Sequence, residues 1–261
     1  MGQNGDLPYK HYFYTKKMEA KHLLSKFHLD HKKQRVILIT GCKRSGKTQL
    51  GIEILRRCRF KRGLVITDDI VKDYDNICPY SIVQRYEEPR QLDTFVTYAK
   101  YVKEWCFIFL DNVSDNKLYK SKSFENLIKN GRHNNILVVI SINDTYVFRP
   151  FIRSHVSVIF QLPGMPTDKQ KNLWYRFDTA YHSISFKDYE KIYRLVSGRS
   201  KYSSLVIDNT SRSRAGSIRY HDGTNYKLLL YRIIRKVMVR NRMNKMGLFP
   251  KEINKIIVKM I

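Results

Sequence analysis

The chain has 261 residues, 49 Lys and Arg against 23 Asp and Glu, and a formal charge of +26. Hydrophobic residues at 43% and aromatics at 13% exclude a chain that stays disordered, so the charge sits on a folded body long enough for one α/β domain with additions. That balance is foreign to an ordinary metabolic enzyme and calls for a polyanionic partner, nucleic acid first and an anionic membrane surface second.

Residues 1–34 read as an N-terminal extension. Met1-Gly2-Gln3-Asn4 opens like an N-myristoylation signal, but Asp6 stands where that signal needs Ser or Thr, and an ordinary terminus is expected. Val36 to Thr40 is a short β-branched run and predicts a strand; a Gly-bounded loop and a helical pattern from Gln49 to Cys58 follow. Gly63 to Thr67 reads as a second strand ending in Asp68-Asp69, and Tyr80 to Gln84 as a third. Pro89 opens a helix to about Lys103, with Leu92, Phe95, Val96, Ala99 and Val102 at helical spacing. Trp105 to Leu110 is the next strand. After a polar loop, Phe124 to Lys129 predicts a short helix, Ile136 to Ile142 the most apolar strand, and His155 to Leu162 another. Asp168 to Tyr181 and Phe186 to Val196 read as helices, and Ser204 to Ile207 as a late strand. The polar stretch from Ser197 to Asn225 reads as loop with room for a hairpin. Tyr226 to Ile261 holds ten Lys and Arg against Glu252 alone, a charge of +9, with Leu229, Ile233, Val237 and Met238 on a helical stripe.

Continuous apolar strands alternating with helices predict a three-layer α/β core around a mostly parallel sheet. Its expected span is residues 35–210, followed by a basic, largely helical C-terminal segment over 211–261. No internal repeat breaks this reading. Cys42, Cys58, Cys78 and Cys106 form no CxxC pair, which argues against a zinc site or a disulfide framework and for a reducing compartment. No uncharged apolar run approaches the roughly 18 residues of a spanning helix, so a soluble chain without a membrane span is expected.

Gly41-Cys42-Lys43-Arg44-Ser45-Gly46-Lys47-Thr48 is GxxxxGKT, set between a predicted strand and the helix that opens near Gln49. Such a loop curls its backbone N–H groups around phosphate oxygens, and the helix N-terminus adds a positive dipole end. Lys47 then reaches the β- and γ-phosphates of ATP, and the Thr48 hydroxyl meets Mg²⁺. Phe107-Ile108-Phe109-Leu110-Asp111 supplies the partner strand whose terminal acid holds the metal; a core strand ending in a loop Asp would look the same. Asn112 follows where many ATP hydrolases place an acid. An amide orients water but takes no proton, so the base comes from Asp115, Asp68 or Asp69, or hydrolysis is slow or partner-triggered. Val139-Ile140-Ser141-Ile142-Asn143 ends in polar groups suited either to sensing a γ-phosphate or to starting a turn. Arg132, in the basic loop Gly131-Arg132-His133-Asn134-Asn135, and Arg153 are rival arginine fingers or simply solvated charges.

Together the segments GCKRSGKT, FIFLDN, NGRHNNILVVISIN, RPFIRSHVSVIFQL and LVIDNT, in this order, resemble the genome-packaging ATPases of poxviruses and other nucleocytoplasmic large DNA viruses, within the FtsK/HerA superfamily of P-loop motors. The likeness covers roughly residues 35 to 210. It implies an additional-strand (ASCE) P-loop core, a homo-oligomeric ring, and ATP-driven translocation of viral double-stranded DNA into a capsid through a capsid or portal component. It further implies a place at the viral assembly site in the host cytoplasm, with virion association. Arg132 falls in the family's GRH segment, Asn143 falls where relatives carry a polar Gln, and Asn112 departs from a common acid.

Two other classes share the P-loop. A nucleotide kinase acts on a compact anion and has no use for +26 over the whole chain; it also needs an Arg-rich lid, which Ser197 to Arg214 only superficially offers. A nucleotide- and DNA-binding module without turnover is compatible with Asn112.

Overall fold

The structure, a computed structural model, describes residues 36–69, 74, 77–177, 185–198, 200, 203–210, 218–221 and 226–227. Strands β1 (Val36–Thr40), β4 (Cys106–Asp111), β5 (Ile136–Ile142) and β6 (Val156–Gln161) are buried at every residue, as apolar strands covered on both faces must be. β2 (Arg62–Thr67) is buried after its first residue, whereas β3 (Tyr80–Arg85) is largely exposed. One sheet joins them in the order β3-β2-β4-β5-β1-β6-β7-β8-β9. The first six are parallel; β7 (Ser204–Asp208), β8 (Ile218–His221) and β9 (Tyr226–Lys227) continue antiparallel.

The period of two along each strand sends alternate side chains to two cores. Ile37, Ile39, Phe107 and Phe109 pack with Leu50, Ile54 and Leu55 of α1 (Lys47–Cys58) on one face. Leu38, Ile108, Leu110 and Ile140 pack on the other, with α2 (Arg90–Val102), α3 (Asn116–Lys120), α4 (Lys122–Asn130), α5 (Pro150–His155), α6 (Thr167–Arg176) and α7 (Phe186–Ser197). The expected three layers are therefore present. β5 lies between β1 and β4, so the loops leaving all three strands meet at one edge of the sheet.

Two glycines make room for phenylalanine rings, Gly51 between α1 and the sheet and Gly63 between neighbouring strands. A Cβ on Gly51 of α1 would lie 2.4 Å from the Phe109 ring, and one on Gly63 of β2 would lie 2.1 Å from Phe107. Side-chain caps fix several helix starts: Asp115 accepts from Lys117 N at 2.8 Å, and Ser121 from Phe124 N at 3.1 Å.

Several boundaries differ from the sequence reading. Pro89 caps α2 from outside rather than forming its first residue. The helix expected to reach Tyr181 stops at Arg176, because Phe177 leaves the helical conformation and buries itself edge-on to Phe148. α3 and α5 form within segments read as loop or strand entry, and Gly131–Asn134 is a 3-10 turn. β8 pairs with β7 and makes the hairpin, carrying the sheet past residue 210. Tyr226–Lys227, placed in the helical tail, is instead a strand paired with β8. Residues 1–34 and the stripe Leu229, Ile233, Val237 and Met238 lie outside the described residues. Among the described residues, no helix is long and apolar enough to cross a membrane.

Candidate active site

The loop Gly41–Gly46 bends off the end of β1 and returns as α1. Arg44 (φ 63°) and Gly46 (φ 94°) take left-handed backbone, which Gly46 accommodates at no steric cost as the N-cap. Close approach fixes Gly41: a Cβ there would sit 2.7 Å from Ser45 Oγ and 2.9 Å from Leu162 Cβ. Cys42 Sγ donates to Gly164 O at 2.6 Å, tying the loop to the turn after β6. Lys43, Arg44 and Gln49 are exposed on the rim. No acid of α1 itself occupies its first turn, which leaves the loop amides at its positive end facing the space above the loop.

Lys47 is buried, and its Nζ donates to Gly41 O at 3.2 Å and to Cys42 O at 2.6 Å, folded back over the loop. Desolvation lowers its pKa, while Asp111 and Cys42 act in the opposite direction. A buried ammonium held by carbonyls alone is poised to gain from a phosphate.

Asp111 ends β4, 2% exposed, and its Oδ2 accepts from Thr48 Oγ1 at 2.7 Å. Tyr74, which the sequence reading passed over, donates its hydroxyl to the same oxygen. Burial foremost, with the Asp111 charge beside it, pushes the Tyr74 phenol well above its ordinary range, so it stays a donor. Asp111 Oδ1 is buried without a hydrogen-bond partner. An orphaned carboxylate oxygen next to a hydroxyl is a donor set for a hard cation, and the residues fit Mg²⁺, which takes one or two protein oxygens and completes its shell with phosphate and water. Among the described residues, no cluster of three His, Cys, Asp or Glu that could hold a metal ion occurs.

Asn112 follows with left-handed backbone (φ 53°), a conformation Asn tolerates, and its amide N donates to Ser141 O at 2.8 Å. Its Oδ1 accepts from Asn143 Nδ2 at 2.9 Å, so the ends of β4 and β5 are joined by an amide pair beside Asp111. Buried oxygens of Thr40, Ser45, Ser141 and Asn143 also lack partners, and they line the ends of β1 and β5 and the loop between β1 and α1. Of the three carboxylates weighed as bases, Asp68 accepts from Ser114 N and Oγ (2.9 and 2.6 Å), and Asp115 caps α3. Asp69 is exposed, with its backbone N–H bonded to Thr67 Oγ1.

The structure thus gathers Lys47, Thr48, Asp111, Asn112 and Asn143 and leaves both candidate fingers elsewhere. Arg132 is exposed in the 3-10 turn that leads into β5, so the seven residues of that strand, at about 3.3 Å each, separate it from its own phosphate loop by roughly 20 Å. Arg153 lies in α5 before β6, at the same far edge, with Nη1 3.4 Å from Phe148 O.

No profile of a known protein family matches the chain. An uncharacterized protein, 075L, of Invertebrate iridescent virus 6 is 26% identical over 187 residues, covering 67% of this chain and 71% of that protein. Another, 015R of Frog virus 3, is 32% identical over 111 residues, 41% of this chain but only 32% of its own length. Among solved structures, the genome packaging NTPase B204 of Sulfolobus turreted icosahedral virus 2, in complex with ATP-gammaS, superposes with a TM-score of 0.54 at 15% identity, covering 73% of this chain and 98% of B204. The DNA-packaging ATPase B204 of Sulfolobus turreted icosahedral virus gives 0.52 at 18% identity over 72% and 97%. At such identities the likeness is one of fold: this chain has the P-loop NTPase fold of which viral packaging ATPases are structural neighbours.

Proposed function

We propose that this chain is an ATPase that drives viral double-stranded DNA into a capsid, working as a ring of identical copies. The observation that carries the reading is the position of β5, which brings Asn143 beside Asp111, Thr48 and Lys47 at one strand edge. Fold neighbours that are packaging NTPases support it, as does the charge of +26.

The loop amides and Lys47 would hold the triphosphate of ATP, and Thr48 and Asp111 would hold Mg²⁺. When bound, the metal neutralises charge that develops on the transferred phosphoryl group. Asn143 orients toward the γ-phosphate through its pairing with Asn112, which reports phosphate loss to the end of β4. Arg132, too far from its own site, serves the site of the next copy, where an arginine supplied in trans is worth about 10³ to 10⁵ in rate. The ring would dock on a capsid or portal component at the assembly site in the host cytoplasm and remain with the virion.

ATP hydrolysis measured across a protein concentration series, with and without duplex DNA, tests this. Turnover should rise with assembly and with DNA and vanish in Lys47→Ala and Asp111→Asn. Arg132→Ala mixed with Lys47→Ala should regain activity, since each supplies what the other lacks; no recovery between variants that still assemble would remove Arg132 from the role. A DNA-independent rate that phosphorylates a nucleotide would make the chain a kinase. A second reading, a nucleotide- and DNA-binding module without turnover, is favoured by Asn112, whose amide cannot take a proton; tight ATP binding with no hydrolysis under any condition would establish it.

A further inference from the structure

We propose that a basic hollow on the α5 face of the sheet binds the phosphodiester backbone of nucleic acid. The hollow, about 540 Å³, opens widely between the Thr145–Val147 turn, α5 and α6, and four cations line it: Lys120, Arg149, Arg153 and Arg176. Among the described residues, no acid lines it. None of the four cations is ion-paired with a described residue, although pairs form close by; the carboxylate of Asp144, the nearest acid along the turn, is engaged by Lys169 at 3.5 Å. Cations brought together without an anion repel one another, and burial together with Arg176 pulls the Arg153 guanidinium below its usual range. A bound polyanion would relieve that repulsion.

Aromatic groups narrow the ligand class. Tyr175 is 71% exposed and Tyr146 48% exposed, and the Arg176 guanidinium lies 4.7 Å over the Tyr146 ring, which holds it in place at the rim. A wide hollow with spaced arginines and the exposed Tyr175 ring suits a chain of phosphates carrying bases, which meets guanidinium groups at successive positions and offers a face to stack. A lone small anion would be served by one enclosed pocket instead. The site also adjoins the proposed machinery through the chain: the segment that leaves β5 passes through Asn143 and then supplies Tyr146 and Arg149. If the ATPase reading holds, this short connection lets the state of the nucleotide edge alter the grip on nucleic acid; binding itself does not depend on that reading.

The test is fluorescence anisotropy of the full chain, without nucleotide, on labelled duplex DNA and on a single strand of equal length over a salt series. Arg149→Ala/Arg176→Ala is compared with Arg56→Ala/Arg57→Ala, which removes the same charge from exposed positions of α1 on the opposite face. The hollow variant should lower the slope of log affinity against log salt by about 1.8 on duplex or about 1.4 on single strand, while the α1 variant leaves it near wild type. Circular dichroism and ATP-analogue affinity confirm that both variants are folded. Tyr175→Ala separates the sources: loss on the single strand alone places a base on the ring, and equal behaviour on both forms assigns the site to backbone contacts of a duplex. Unchanged binding by the folded hollow variant, or equal losses from both faces, overturns the proposal. So does a hollow-dependent affinity for polyglutamate that DNA does not compete away, which would make the ligand an acidic protein.

Discussion

Lys47 shows how a single buried charge carries a pH dependence whose sign follows from its surroundings. Burial lowers its pKa from 10.5, with Asp111 and Cys42 only partly offsetting the shift, and the two carbonyls that hold Nζ bring no charge. A triphosphate placed beside Nζ raises that pKa again. Nucleotide binding therefore takes up a proton between the lowered value of the free protein and the raised value of the complex. Below the lowered value Lys47 is charged in both states and affinity is flat; as pH climbs through it, affinity falls by up to about tenfold per pH unit. Calorimetric titration of an ATP analogue across the alkaline range should show this fall, and Lys47→Arg, which keeps its charge throughout, should not. An equal fall in that variant would assign the effect to another group.

At the scale of elements, the phosphate loop depends on a neighbour remote in sequence. Residues 162–165 follow β6 and lie against the loop: Leu162 N donates to Thr40 O at 2.8 Å, Cys42 Sγ donates to Gly164 O, and Leu162 closes over Gly41. α7 holds this strap from behind, because Tyr193 OH donates to Leu162 O and accepts from Met165 N, both at 2.9 Å. Tyr193→Phe leaves a buried N–H and C=O without that partner, which should cost about 1–3 kcal/mol in chemical denaturation and weaken nucleotide affinity as well. Lost stability with unchanged affinity would show that the strap does not position the loop. This dependence was illegible in the sequence, as was Tyr74 on Asp111, since both pairings are made only when the sheet closes. The parallel strands were legible to within about a residue, all but the exposed β3 because burial on both faces demands unbroken apolar runs. α3 and α5 were missed for the opposite reason: five- and six-residue helices present too few turns for a period to show.

For the whole molecule, the question is where a charge of +26 acts. The sequence located part of it in the C-terminal segment but could not foresee the hollow, whose Lys120, Arg149 and Arg176 come from separate elements and meet only through packing. The two differ in their relation to the fold. Tyr226 and Lys227 pair with His221 and Tyr220, so a cut that spares the sheet must fall after residue 227. Residues 228–261 carry nine Lys and Arg against Glu252, a charge of +8 out of +26. Removing them should leave ATP affinity and the thermal midpoint unchanged while lowering duplex affinity and its salt slope, by about 0.9 for each phosphate that the segment neutralises. Combined with Arg149→Ala/Arg176→Ala, the two slope changes should add, because cations on separate stretches of backbone release separate counterions. A combined slope no lower than that of the truncation alone would mean that nucleic acid reaches the hollow only when the C-terminal segment delivers it, and a drop in the thermal midpoint would make that segment part of the folded domain.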